Sequence, residues 1–139
     1  MEIINRIVKW NEERLLDKQE FNLKIESTHI LEELIEAQSK FIDSDKARKL
    51  ANQLYGFLQI HDEKDEKDIV DAFADIIVYA TGSILKLGYE PTKVMDEVLK
   101  EIESRTGKIV NGKFVKDNKK TMYKADFTKC KRSKNEEDK

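Results

Sequence analysis

The sequence predicts an all-α protein: a four- to five-helix bundle that ends in a short C-terminal β-hairpin and a basic tail. Three observations lead there. Charged and hydrophobic residues each make up 39% of the 139 residues, with only five glycines and one proline, the balance of helices with solvated outer faces. Apolar residues recur at three- and four-residue steps as far as Ile102. Beyond that point the period changes to the alternation of strands. The length suits one domain, so we expect a helical domain over 1–107, a hairpin and extension of the same domain over 108–130, and a disordered end over 131–139.

Ile3, Ile4, Ile7, Val8, Trp10 and Leu15 trace a first helix from about Glu2 to Leu16. Leu23, Ile25, Ile30, Leu31, Leu34, Ile35 and Phe41 trace a second, expected to start near Ser27 and to stop before Asp43. Ser44 or Asp45 can cap a third helix running through Ala47, Leu50, Ala51, Leu54 and Leu58, with Gly56 weakening its end. A charged connector from His61 to Lys67 leads to the longest helix, roughly Glu66 to Leu87, where Gly88 stands at the position of a left-handed cap. Pro91 or Thr92 opens a fifth helix that stops near Gly107. Asn111-Gly112 then sits between Ile109-Val110 and Phe114-Val115, a strong two-residue hairpin signal.

Charge and cysteine usage narrow the function classes. Residues 1–105 carry 15 Lys+Arg against 23 Asp+Glu, and residues 106–139 carry 11 against 5, so an acidic body of −8 bears a tail of +6. An acidic body repels nucleic acid, and the tail lysines lack an organised aromatic platform, so nucleic acid is an unlikely partner. The single cysteine, Cys130, can form no intrachain disulfide. With no eighteen-residue apolar window and no secretory leader, a soluble cytoplasmic protein without a membrane partner is expected.

Two acidic stripes carry the chemistry. Glu33 and Glu36 lie three apart on the second helix, with Glu32 beside them. Asp68, Asp71 and Asp75 lie at i, i+3 and i+7 on the fourth, in a residue type that is a poor helix former. Asp75 is embedded in Phe73-Ala74-Asp75-Ile76-Ile77-Val78-Tyr79-Ala80, so partial burial is expected there, and no Lys or Arg occurs from Asp68 to Leu85 to neutralise it. Two antiparallel helices would set the stripes opposite each other as an all-oxygen cage, which suits Mg2+ or Mn2+ and a substrate phosphate. Phosphate loops and nucleophile elbows are missing, and of the two histidines, His29 reads as a surface residue at a helix start.

Glu33-Leu34-Ile35-Glu36 followed by Asp68-Ile69-Val70-Asp71-Ala72-Phe73-Ala74-Asp75 resembles the Glu-x-x-Glu and Glu-x-x-Asp signature of the MazG-like all-α nucleoside triphosphate pyrophosphatases. The likeness is to the branch related to phosphoribosyl-ATP pyrophosphohydrolase. Asp68 stands where that family usually has Glu. Ser104 and Lys108 agree with the branch's Ser-Asn-x-Ser-Lys pattern, and the segments Asn111 to Lys116 and Tyr123 to Phe127 look like its closing hairpin and terminal segment.

The resemblance implies Mg2+-dependent hydrolysis of a nucleoside or deoxynucleoside triphosphate to the monophosphate and pyrophosphate. Water must be the nucleophile, since no protein nucleophile is evident. The proposed metal ligands are Glu33, Glu36, Asp71 and Asp75, with Asp68 as a fifth, and Glu36 is also the candidate for orienting water. Arg105 and Lys108 are the candidate phosphate contacts. The apolar girth of Ile76, Ile77, Val78, Tyr79, Ile84 and Leu87 predicts a homodimer or dimer of dimers, as the family does. The alternative is a non-catalytic helical bundle that regulates a protein partner through its acidic face.

Overall fold

The computed structural model describes residues 2–58, 64–111, 113–117 and 123–133. It contains five α-helices and one antiparallel hairpin: α1 (Glu2–Glu13), α2 (Leu23–Glu36), α3 (Ser44–Gly56), α4 (Glu66–Lys86), α5 (Pro91–Ser104), β1 (Gly107–Val110) and β2 (Lys113–Lys116). The all-α class with a short β-hairpin is thus what the sequence folds into. The chain divides into two compact units, 19–63 in one and 1–18 with 64–139 in the other.

The 19–63 unit is the α2–α3 hairpin. Ala47 and Ala51, one turn apart on α3, are fully buried and small enough to let α2 close in. Two helix starts differ from expectation because capping outranks apolar periodicity. Asn22 caps α2 by accepting from the Ile25 amide at 3.0 Å, so the helix starts before Ser27, and His29 lies inside it rather than at its start. Asp43, not Ser44 or Asp45, caps α3 by accepting from the Lys46 amide at 2.8 Å. Phe41 falls beyond the end of α2.

In the other unit, α1 packs along α5. Arg6 donates to Asp96 at 2.7 Å and to Glu103 at 3.1 Å, and Trp10 donates its ring N–H to the Ile102 carbonyl at 3.2 Å. Trp10 meets Phe114 of β2 edge to face at 5.4 Å, and the Arg14 guanidinium lies 4.3 Å from the Trp10 ring centre, which ties the hairpin to α1. Leu15 turns left-handed at φ 57°, which ends α1 at Glu13 rather than at Leu16. Gly88, at φ 89°, closes α4 as its position predicted.

Val110 pairs with Lys113 across two residues, in the register that Asn111-Gly112 predicted; Asn111 has φ 50°, and Gly112 lies outside the described residues. Gly107 does more than end a helix. It pairs with Lys116, and a Cβ there would collide with the Val115 carbonyl.

Residues 123–133 form a strap across α5. The Cys130 carbonyl accepts from the Glu90 amide at 2.7 Å, the Arg132 amide donates to the Gly88 carbonyl at 2.9 Å, and Lys131 bridges to Tyr89. Lys131 and Arg132, expected at the start of a disordered end, are therefore held by backbone pairing. Residues 134–139 of that end, and residues 59–63 of the expected connector, including His61, lie outside the described residues.

Candidate functional site

Glu33 and Glu36 lie on the last turns of α2, with Glu33 exposed and Glu36 half-buried. Glu32 is the shielded carboxylate of this group, only 3% exposed, with an Arg48 guanidinium nitrogen 3.9 Å from its Oε1. Sequence reasoning placed Glu32 beside the stripe and chose its neighbours as ligands. The missed signal was Ala47 and Ala51, whose small side chains open one face of α3 to whatever α2 turns inward.

Asp68, Asp71 and Asp75 do form one stripe along α4, and all three are exposed. The burial expected for Asp75 is absent, because α4 has no buried residue at all and the surrounding Ile77, Val78 and Tyr79 are themselves exposed. None of the three aspartates has an ion-pair partner among the described residues. Asp68 also has a local role. Asp65 caps the helix by accepting from the Lys67 amide at 3.1 Å, and Asp68 sits in the first turn, where negative charge is favoured by the helix dipole.

The five carboxylates assigned to metal are all hard oxygen donors, the set that suits Mg2+. They are divided by the fold: Glu33 and Glu36 belong to the 19–63 unit, and the three aspartates to the other. Among the described residues, no three His, Cys, Asp or Glu side chains converge to hold one ion.

The phosphate candidates have different surroundings. The Arg105 guanidinium is committed to Glu101 at 2.7 Å, an i, i+4 pair at the end of α5. Lys108 is exposed on β1, where it pairs with Val115. Arg105 lines a small cleft of about 330 Å3 together with Arg14, Thr106, Gly107 and Phe114.

A buried, multiply bonded acid on α5 was not among the site residues chosen from the sequence. Glu97 is 1% exposed on α5. Its Oε1 accepts from the Tyr123 hydroxyl at 2.6 Å and the Asp126 amide at 3.0 Å, and its Oε2 lies 3.3 Å from Lys129 and 3.5 Å from Lys100. The Tyr123 hydroxyl first, then the Asp126 amide, hold this carboxyl at about 2 despite its burial. One turn on, Glu101 accepts from the Ala125 amide at 3.1 Å, which lowers its pKa as well. One cation of the tail, Lys129, is thus spent inside the fold, on the buried carboxylate of α5. No protein-family model, no curated protein and no solved structure matches the chain.

Proposed function

We propose that this protein is a Mg2+-dependent pyrophosphohydrolase of nucleoside or deoxynucleoside triphosphates that works in the cytoplasm. The observation that carries the reading is the α4 stripe: Asp68, Asp71 and Asp75 stand in line on one helix, exposed and without an ion-pair partner among the described residues. On α5 the same protein pairs its acids closely, Asp96 with Arg6 and Lys100, Glu101 with Arg105. A row of carboxylates left without cations costs repulsion between neighbours one turn apart, roughly a few tenths of a kcal/mol per pair. That cost has a function if the row meets a cation from solution.

Glu33, Glu36, Asp71 and Asp75 are the proposed ligands, with Asp68 a fifth, and Mn2+ can replace Mg2+ on such oxygens. When bound, the metal lowers the pKa of water and offsets charge that develops on the departing pyrophosphate. The chain's own carboxylates fix its position, and Glu36, half-buried, orients water and accepts its proton. Lys108, exposed and without an ion-pair partner among the described residues, is the cation proposed for the substrate phosphates, whereas Arg105 would have to leave Glu101 to take part.

The same helix supports a proposed homodimer or dimer of dimers. Val78 is 67% exposed and Tyr79 77%, an apolar surface that a soluble chain rarely leaves in water. A second copy covers it in a self-complementary contact. No helix among the described residues is long and apolar enough to cross a membrane. A purely protein-binding role draws support from this same apolar face, and one experiment separates the two readings. Pyrophosphate release should be measured from a panel of triphosphates with and without Mg2+. Metal-dependent release from at least one of them is the expected result, and none from any would leave the regulator.

A further inference from the structure

A cleft of about 600 Å3 opens where the start of α1, the first turns of α5 and the strap meet. Its volume falls in the range of small-ligand sites, and none of the acidic stripe residues lines it. Arg6, Lys93, Lys100 and Lys129 face it, against Glu2, Asp96 and Glu97.

The cations there are more numerous than the acids that engage them. Asp96 is shared by Arg6 at 2.7 Å and Lys100 at 3.0 Å, Glu97 by Lys100 at 3.5 Å and Lys129 at 3.3 Å, and Arg6 also holds Glu103 at 2.9 Å, so the four lining cations are set against three carboxylates that engage them. Each ammonium has three N–H donors, which leaves Lys100 and Lys129 with donors to offer. Lys93 has no ion-pair partner among the described residues. Thr92 adds a hydroxyl from the first turn of α5, at the positive end of that helix. The lining contains no aromatic ring on which a base could stack.

We propose that this cleft is a second ligand site, which takes a small polyanion of the phosphate class without a metal ion, through Lys93, Lys100, Lys129 and the Thr92 hydroxyl. It reads phosphate groups and not a base, so inorganic pyrophosphate and the phosphate chain of a nucleotide are equivalent ligands. The proposal does not depend on the carboxylate reading of α2 and α4.

Calorimetric titration of inorganic pyrophosphate into the full chain in EDTA tests it, since the chelator keeps metal-dependent sites silent. One saturable site per chain is expected, weakened by added KCl. Lys93→Gln should weaken it about tenfold, the loss of one charge-assisted contact, with an unchanged melting temperature because Lys93 is exposed and has no ion-pair partner among the described residues. Lys24→Gln, at an exposed position of α2, should change nothing. Inorganic triphosphate and a nucleoside triphosphate should bind alike, and a strong preference for the nucleotide would overturn the phosphate-only reading. No saturable binding, or equal binding by wild type and Lys93→Gln, or equal loss in Lys93→Gln and Lys24→Gln, would overturn the site itself.

Discussion

Helices α4 and α5 belong to the same unit and touch each other, and both are rich in acids, but they treat those acids in opposite ways. On α5, Glu97 is buried under Tyr123, Asp126, Lys100 and Lys129, Asp96 holds Arg6, and Glu101 holds Arg105 and the Ala125 amide. On α4, the aspartates are exposed and unpaired among the described residues, and so is the apolar surface around them. A paired acid is a fold component, and its removal leaves partners stranded. An unpaired one contributes repulsion to the fold, so its presence asks for a role outside it. The paired acids of α5 therefore serve stability, and we propose the catalytic role for the unpaired acids of α4.

The sharpest break of that contrast is chemical. Asp71→Asn on α4, like Glu36→Gln on α2, should reduce Mg2+-dependent pyrophosphate release about a hundredfold or more, since even outer-shell partners of a metal are worth ten- to a hundredfold. Melting temperature without metal should stay level or rise, because a repulsive charge is gone. Normal turnover in both variants would remove the metal assignment. Next in size is assembly: Tyr79→Glu puts a charge into the exposed apolar face and should shift the protein from dimer to monomer in sedimentation at micromolar concentration. A wild type that is already monomeric there would end the second-copy reading.

On α5 the expected effect moves from function to stability. Leu99 is fully buried between its neighbours, so Leu99→Ala should cost about 2–5 kcal/mol of unfolding free energy, read from denaturant titration. Below the transition, the remaining folded molecules should turn substrate over at the wild-type rate. A mild loss of stability with a large loss of turnover would reverse the division between the two helices.

The helical elements were legible because their signal is local: three- and four-residue apolar steps mark α1 to α5, and Asn111-Gly112 marks the hairpin. Helix ends at Asn22 and Asp43 were not, because one side-chain hydrogen bond decides them against a weak apolar trend. The Asp68, Asp71 and Asp75 stripe was visible as spacing, but its exposure was not, since burial depends on what packs over α4 and not on α4 itself. Glu97 stood out only within Asp96-Glu97-Val98, a segment that looks like a later helix of the resembled family and carries no site role by itself. Its partners Tyr123 and Asp126 come 26 and 29 residues later, from a segment with no period of its own. The opposite charges of body and tail were the available clue, and Lys129 on Glu97 accounts for one of the tail's eleven cations.

That pairing also changes what a truncation can show. Cutting the chain after Gly107 removes Tyr123, Asp126 and Lys129 together, which exposes Glu97 and unties the strap, so a rise in the Michaelis constant would not isolate a substrate contact. A gentler test titrates the clasp in place. The Glu97 carboxyl is lowered from 4.5 to about 2 in the folded protein, so on acidification the unfolded chain takes up this proton first. Its contribution to stability is full above about 4.5 and is lost as pH falls through about 2. Asp96, Glu101 and Asp126 are lowered too, so wild type should lose stability across the same window through several groups. Glu97→Gln keeps the shape and drops one titrating group. Its melting temperature should lie below wild type at neutral pH, and the gap should narrow steadily from pH 5 downward. Parallel melting curves over that range would mean that the strap is held by its backbone pairing to Gly88 and Glu90 and that the buried acid adds little.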